Sequence, residues 1–243
     1  FQAGFSNVSD VFLRINVVFL IAFFIYIFEK KVWSLLFISP IFLLFIQSPS
    51  PDLPAIALSL IVLNEVVKGN TNFKLLFAFS VFVFTIKPTM IWLPLFVFLY
   101  FFKRENLKFL WLGVLVGLIY IFKNIWLFGY PFFPVQIGDF GVSWLPNSEI
   151  LKQSSDVAIT KTYDLQYSVS EIQKFTTLDY IYNWFTLHSY KKYIHFAFIL
   201  SLIFFGIFAF KKKDKLTTIL FISILFKSIL ILLFSAQYRF FLD

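Results

Sequence analysis

The chain has 243 residues, of which 60% are hydrophobic and 23% aromatic, and its formal net charge at pH 7 is +8. A soluble domain of this length does not need so much apolar surface, and the apolar runs are long enough to cross a bilayer, which excludes an ordinary soluble fold. A basic balance in a membrane protein reflects topology, so we expect no nucleic-acid partner. The absence of cysteine excludes disulfides and thiolate chemistry.

The apolar runs, taken in chain order, predict about eight membrane segments. They cover residues 11–28, 32–47, 54–67, 73–86, 90–102, 109–128, 193–210 and 216–234. Several are shorter than the roughly 20 residues that a straight span needs, and Pro40 and Pro94 are expected to kink the helices that contain them. The predicted fold class is all-α, a polytopic transmembrane helical bundle with one long polar loop.

Three regions follow from this division. Residues 1–134 are predicted to hold transmembrane helices with short connections, residues 135–192 form the long loop, and residues 193–243 hold the last transmembrane helices. The chain opens with Phe1 rather than Met and stops at Asp243, just after a helix. We therefore expect a fragment that is truncated at both ends.

Basic residues set the orientation of the bundle. Eleven of them fall on the connections of one side, namely Lys30, Lys31, Lys68, Lys74, Lys103, Arg104, Lys108, Lys211, Lys212, Lys213 and Lys215. The short connections of the other side hold Lys87, and Arg239 follows the last span. Because cytoplasmic connections are enriched in lysine and arginine, we expect this side of a multi-pass membrane protein to be cytoplasmic. The loop 135–192 is then extracytoplasmic.

The long loop shows local helix signals. Ser168-Val169-Ser170-Glu171 is typical of a capping box, and apolar residues recur behind it at steps of three or four. This pattern predicts one amphipathic helix over 169–187, lying on the outer leaflet. Asn147-Ser148-Glu149 favours the start of another short helix. No spacing in the loop fits a catalytic triad or a metal cluster, and we expect neither His188 nor His195 to bind a metal.

Lys123-Asn124 and Gly129-Tyr130-Pro131 mark the end of the sixth segment. Glycine and proline predict that the helix stops near Phe128. Lys123 would then lie ~21 Å into a ~30 Å hydrocarbon core, and Lys227 nearer the middle of the last span. Ionisable residues at such depth normally face a cavity or a partner. The alternative interpretation is a plain helix end with an interfacial aromatic belt.

Four motifs, in their order along the chain, resemble those of the GT-C superfamily of polytopic glycosyltransferases, such as protein mannosyltransferases and aminoarabinose transferases. The motifs are Asp52-Leu53-Pro54, Thr85-Ile86-Lys87-Pro88, Lys123-Asn124 with Gly129-Tyr130-Pro131, and Arg239-Phe240. Two positions depart from the family pattern, since Lys123 replaces an arginine and Tyr130 an asparagine. The carboxylate that the family carries in its first outer loop would precede Phe1. A family of uncharacterised bacterial multi-pass proteins shows a similar motif set.

The resemblance implies a multi-pass protein of the plasma (inner) membrane in a bacterial cell envelope. It also implies transfer of a sugar from a polyprenyl-phosphate carrier to a glycan, lipid or protein acceptor on the non-cytoplasmic face. It makes Asp52 the candidate catalytic residue of this chain. The candidate residues for binding the lipid phosphate and the sugar are Lys87, Lys123, Asn124, Tyr130 and Arg239. No cofactor and no metal-binding residue is expected, and a divalent-cation requirement stays open.

Two other functions remain as alternatives. An O-antigen or polysaccharide polymerase or ligase also has many spans and one large outer loop, but such proteins tend to place arginines and a histidine there. The loop 135–192 has no arginine and only His188. The non-enzymatic alternative is a transporter or flippase, although the sequence shows no internal repeat and its polar clusters lie at one face rather than at mid-membrane.

Overall fold

The computed structural model describes residues 8–38, 42, 45–46, 50–133, 137–144, 147–188 and 190–241. Within these ranges the backbone is helical or irregular and contains no β-strand, which confirms the all-α class. The α-helices whose bounds lie within the described residues are α1 (Val8–Lys30), α2 (Asp52–Val67), α3 (Phe73–Ile86), α4 (Trp92–Tyr100), α5 (Trp111–Phe128), α6 (Ser148–Thr160), α7 (Val169–Ile172), α8 (Thr177–Phe185), α9 (Lys191–Lys212) and α10 (Lys215–Phe234).

Four of these helices are long and apolar enough to cross a membrane, and they identify a membrane protein. They are Val11–Lys30 of α1, the whole of α5 and α9, and Lys215–Leu233 of α10. Three other predicted segments form shorter helices, since α2, α3 and α4 have 16, 14 and 9 residues. Part of the predicted segment 32–47, including Pro40, lies outside the described residues. The total of eight spans stays a prediction.

The chain divides into two compact units, Phe1–Gly113 and Val114–Asp243. In the first unit α1 packs against α2, α2 against α3, and α3 against α4. The connection 68–72, in which Gly69 has a φ of 82°, reverses the chain between α2 and α3. The start of α2 and the end of α3 therefore lie at the same end of this helix pair.

The kink predicted at Pro94 is wrong. Helix α4 begins at Trp92, so Pro94 lies in the first turn, where a missing N–H removes no helical hydrogen bond. The helical path breaks earlier, at Met90 (φ −79°, ψ 15°), inside the short 3₁₀ helix Pro88–Ile91. Pro88 cannot continue α3, and it also pushes Lys87 out of helical geometry into an extended conformation (φ −143°, ψ 108°).

In the second unit, helix α5 ends at Phe128, as the sequence predicts. Gly129 follows with a φ of 74°, a left-handed conformation that a glycine adopts without steric cost. The side-chain amide of Asn124 donates to the carbonyl of Pro131 at 3.0 Å and holds the turn against the helix. The sequence signals of glycine and proline thus set both the position and the shape of this helix end.

The segment 147–188 confirms two predictions and corrects a third. Asn147 caps α6, and Ser168 with Glu171 forms the predicted capping box at the start of α7. The single helix over 169–187 is wrong, since α7 ends at Ile172 and α8 starts at Thr177. The reason is a second capping box, in which Thr176 and Asp179 exchange hydrogen bonds and compete with a continuous helix.

The two capping boxes also set the ionisation of their carboxyl groups. The backbone N–H and the hydroxyl of Ser168 donate to Glu171 and lower the pKa of its carboxyl. The same two groups of Thr176 lower the pKa of Asp179. Both side chains are therefore charged at neutral pH, and each stabilises the first turn of its short helix.

Helices α9 and α10 form an antiparallel hairpin. Lys213 turns the chain with a φ of 53°, and Asp214 caps α10 by accepting from the backbone N–H of Thr217 at 2.9 Å. Gly206 lies directly against the ring of Phe221, and a Cβ atom at position 206 would stand 2.9 Å from Phe221 Cζ. A small residue at this point lets the two helices approach closely.

The close approach at Gly206 predicts the effect of a larger side chain. Gly206→Leu should lower the free energy of unfolding by about 1–3 kcal/mol, because overpacking a tight contact forces its neighbours to shift. Ala197→Leu is the matched control, since Ala197 is an exposed residue of the same helix. Thermal unfolding in detergent micelles measures both, and equal melting temperatures for the two variants would contradict this packing.

Candidate functional site

Asp52 and Lys87 meet at the shared end of α2 and α3. Asp52 is the first residue of α2, after Pro51, and Lys87 directly follows the last residue of α3. The Nζ atom of Lys87 lies 2.6 Å from Oδ1 of Asp52. Two of the sequence motifs, Asp52-Leu53-Pro54 and Thr85-Ile86-Lys87-Pro88, are thus brought together by the helix pair.

Both side chains of the ion pair are almost completely buried. The side chains of Lys87 and Asp52 are 6% and 5% exposed. The hydroxyl of Ser50 donates to the other carboxylate oxygen, Oδ2 of Asp52, at 2.8 Å. Leu53 and Met90, which adjoin the pair in sequence, are fully buried. The pair therefore forms a charged centre in an apolar part of the first unit.

The helix ends stabilise both charges. The N-terminus of a helix carries partial positive charge and its C-terminus partial negative charge. Asp52 lies at the N-terminus of α2, and Lys87 lies at the C-terminus of α3. Burying two ions costs several kcal/mol each, and their attraction offsets this cost only when the remaining hydrogen-bonding capacity is also satisfied. Ser50 and the two helix ends contribute that additional stabilisation.

Ser50 is a site residue that the sequence analysis missed. The Ser50-Pro51-Asp52 spacing is the local signal, because a serine two residues before an aspartate can fold back and donate to its carboxylate. The prolines on both sides of Ser50 predict a loop, and they give no indication of this side-chain hydrogen bond. The pairing of Asp52 with Lys87 has no local signal, because the two residues are 35 positions apart.

The other predicted site residues belong to the second unit. Lys123 is exposed, and its Nζ lies 5.1 Å from the centre of the Tyr120 ring. Asn124 is buried and holds the turn after α5, which gives it a structural role. Tyr130 is half-buried, and Arg239 lies in the 3₁₀ helix Tyr238–Phe241, its side chain being outside the described part.

The two histidines play different parts. His188 is exposed. His195 is fully buried, its ring stacks on Trp184 with centroids 3.8 Å apart, and its Nδ1 lies 2.9 Å from the Trp184 carbonyl. Among the described residues no group of three or more His, Cys, Asp or Glu side chains is placed to hold a metal ion.

The buried ion pair predicts a strongly non-additive pair of substitutions. Lys87→Met and Asp52→Asn should each lower the free energy of unfolding by about 3–5 kcal/mol, because each leaves the other residue buried without its counter-charge. The double variant should recover most of this loss. Denaturant unfolding in detergent measures the cycle, with the exposed Lys103→Met as the control. Additive losses in the double variant would show that the two residues do not interact.

Comparison with known proteins identifies a family. A family described as a domain of unknown function, DUF8201, matches residues 1–243. The chain has no match among curated proteins or among solved structures. The match covers the whole chain, so this membrane protein belongs to the DUF8201 family.

Proposed function

We propose that the protein is a membrane glycosyltransferase that moves a sugar from a polyprenyl-phosphate carrier to an acceptor on the non-cytoplasmic face. The observation that carries the proposal is the buried pair of Asp52 and Lys87. A paired, strongly shielded carboxylate and ammonium group in an apolar helical unit is a frequent property of functional sites. The two motifs that supply the pair are also two of the four motifs that resemble the GT-C superfamily.

The chemistry of the proposed reaction suits this pair. A polyprenyl-phosphate leaving group gains negative charge as the glycosidic bond breaks, and a cation held in a water-poor site stabilises that charge better than it would in water. Lys87 supplies such a cation. Asp52 supplies a base that accepts the proton of the acceptor hydroxyl as the new bond forms. The arriving phosphate competes with Asp52 for Lys87 and so releases the carboxylate for this role.

The remaining predicted residues belong to the second unit. The resemblance makes Lys123 and Arg239 candidates for binding the lipid phosphate and Tyr130 a candidate for binding the sugar. Asn124 supports them indirectly by holding the turn 129–131. In this proposal the bundle has about eight spans in the plasma membrane, and the excess of lysine and arginine on the opposite connections supports an extracytoplasmic segment 135–192.

A transporter or flippase is the second candidate. Lys227, in the middle of α10, is only 3% exposed. A buried ionisable residue in a membrane helix marks transport pathways as well as catalytic sites. A transporter or flippase transfers no sugar, so the sugar-transfer assay described below separates the two functions.

The orientation predicts which side of the membrane labels a new cysteine. The chain has no cysteine of its own, so Ser154→Cys, at an exposed position of α6, gives a single reactive thiol. This thiol should react with a membrane-impermeant maleimide in intact spheroplasts. Lys103→Cys is the control and should react only after permeabilisation. The reverse pattern would contradict the orientation and the proposed face of the reaction.

The reaction predicts large losses of transfer for substitutions at the charged residues. Radiolabelled polyprenyl-phosphate hexoses and pentoses are the donors, and membranes containing the intact protein are the enzyme. Lys87→Met should lower transfer roughly 30- to 1,000-fold, because single electrostatic stabilisers of developing charge contribute ~2–4 kcal/mol. Lys123→Met should show a loss in the same range, whereas Lys123→Arg should retain much of the activity.

Controls separate loss of chemistry from loss of fold. Asp139→Asn removes an exposed carboxylate of the second unit and should leave transfer unchanged. The Asp52→Asn/Lys87→Met double variant should be inactive even where its stability has recovered. Near-normal transfer by Lys87→Met would remove this residue from the mechanism. No transfer by the wild-type protein from any of these donors would favour the transporter.

A further inference from the structure

A cleft of about 340 Å³ opens in the second unit, beside helix α8 and the membrane-crossing candidates α9 and α10. Its volume falls at the lower end of the range of small-molecule sites, which is roughly 300–1,000 Å³. The main lining residues are Tyr163, Tyr180, Trp184, Phe185, Ile199 of α9 and Leu232 of α10. The cleft is therefore mostly aromatic and aliphatic.

Most polar groups in the lining are already engaged. Three of the four polar side chains make hydrogen bonds inside the unit. The hydroxyls of Thr162 and Ser235 share a hydrogen bond of 3.3 Å. The Tyr180 hydroxyl donates to the Ile172 carbonyl at 3.0 Å, and the Trp184 indole N–H donates to the Ala236 carbonyl at 2.8 Å. A ligand that required these groups would have to break bonds that hold the cleft together.

Tyr163 is the exception. Its side chain is 3% exposed, and in the part of the chain that the structure describes its hydroxyl has no hydrogen-bond partner. Burial raises the pKa of this hydroxyl, so the group is neutral and can either donate or accept. A ligand oxygen at this point can therefore form a hydrogen bond with Tyr163 without breaking one inside the unit.

The lining restricts the chemistry of the ligand. A free sugar carries several hydroxyl groups, and most of them would lose their hydrogen bonds to water in a cleft that offers one unengaged partner. Among the residues that the structure describes, no lysine or arginine lines the cleft, so these residues offer a phosphate no counter-charge. A hydrocarbon chain with a single oxygen at one end satisfies both the aromatic wall and Tyr163. Lipids of this kind surround membrane-crossing helices such as α9 and α10.

We propose that this cleft binds one hydrocarbon chain of a membrane lipid, with an oxygen from the base of its headgroup hydrogen-bonded to Tyr163. The site does not depend on the proposed transfer reaction. A phospholipid acyl chain and an isoprenoid chain share the required chemistry, and either one fills an apolar cleft of this kind.

The aromatic wall is preformed rather than assembled by the ligand. Trp184 is fixed by its indole hydrogen bond, by stacking on His195 at 3.8 Å with an interplanar angle of 12°, and by the contact between its carbonyl and His195 Nδ1. Tyr163 packs edge-on against Phe175 with ring centroids 5.5 Å apart. Because the cleft is preformed, binding loses little free energy in ordering its side chains.

Photo-crosslinking of the intact protein in lipid vesicles tests the proposal. One probe is phosphatidylethanolamine with a diazirine in its acyl chain, and the other is a polyprenol with a diazirine in its isoprenoid chain. After irradiation, mass spectrometry maps the labelled residues. We expect label from at least one probe on the segment 180–185, and unlabelled lipid of the same class should compete for it.

Two pairs of variants connect this label to the cleft. Ile199→Trp fills the cleft and should lower labelling of 180–185 at least roughly fivefold, whereas Ile203→Trp, at an exposed position one turn further along α9, should not. Tyr163→Phe removes one hydrogen bond, worth about 1 kcal/mol, and should weaken competition by unlabelled lipid roughly fivefold. Tyr182→Phe is its control, since Tyr182 is exposed and does not line the cleft.

The outcomes separate clearly. Label from the phosphatidylethanolamine probe assigns the site to a phospholipid, and label from the polyprenol probe assigns it to an isoprenoid lipid. Absence of label from both probes would overturn the proposal, as would label that Ile199→Trp leaves unchanged. If Ile199→Trp fails to fold, as judged by its thermal unfolding, the Tyr163→Phe and Tyr182→Phe pair decides, and equal competition by lipid in both would overturn it.

Discussion

The buried ion pair between Asp52 and Lys87 is the interaction on which the first unit depends most. Its two charges are held where the electrostatics of the backbone favours each of them, at the N-terminus of α2 and the C-terminus of α3. Pro88 ends α3 and extends the backbone at Lys87, whose side chain reaches the aspartate. A proline therefore creates the geometry of the pair.

The two units present different chemistry. The first holds a buried charged centre, for which we propose a phosphate ligand, and the second holds an aromatic cleft, for which we propose a lipid chain. In the second unit, hydrogen bonds from side chains to backbone carbonyls hold the chain after two helix ends, from Asn124 to Pro131 and from Trp184 to Ala236. Such bonds satisfy the polar groups that the helix ends leave open, which is a strict requirement where water is scarce.

Sequence reasoning succeeds here where the signal is local. Glycine at 129, the Asn147 cap and the Ser168–Glu171 box each act within a few residues, and the corresponding helix ends are correct. It fails where a second local signal competes, because the apolar period across 169–187 hides the cap at Thr176. It also does not reveal long-range pairings. Asp52 with Lys87, and Thr162 with Ser235, meet only because of how the helices pack.

Binding of polyprenyl phosphate is the most direct measurement of the central claim, which is that Lys87 exchanges its carboxylate partner for the phosphate of a lipid. Native mass spectrometry compares polyprenyl phosphate with the uncharged polyprenol of the same chain length, for the wild-type protein and for Lys87→Met. We expect the wild-type protein to prefer the phosphate at least roughly tenfold, the equivalent of one charge-assisted contact of about 1.4 kcal/mol, and the variant to lose this preference. An unchanged preference in Lys87→Met would contradict the account.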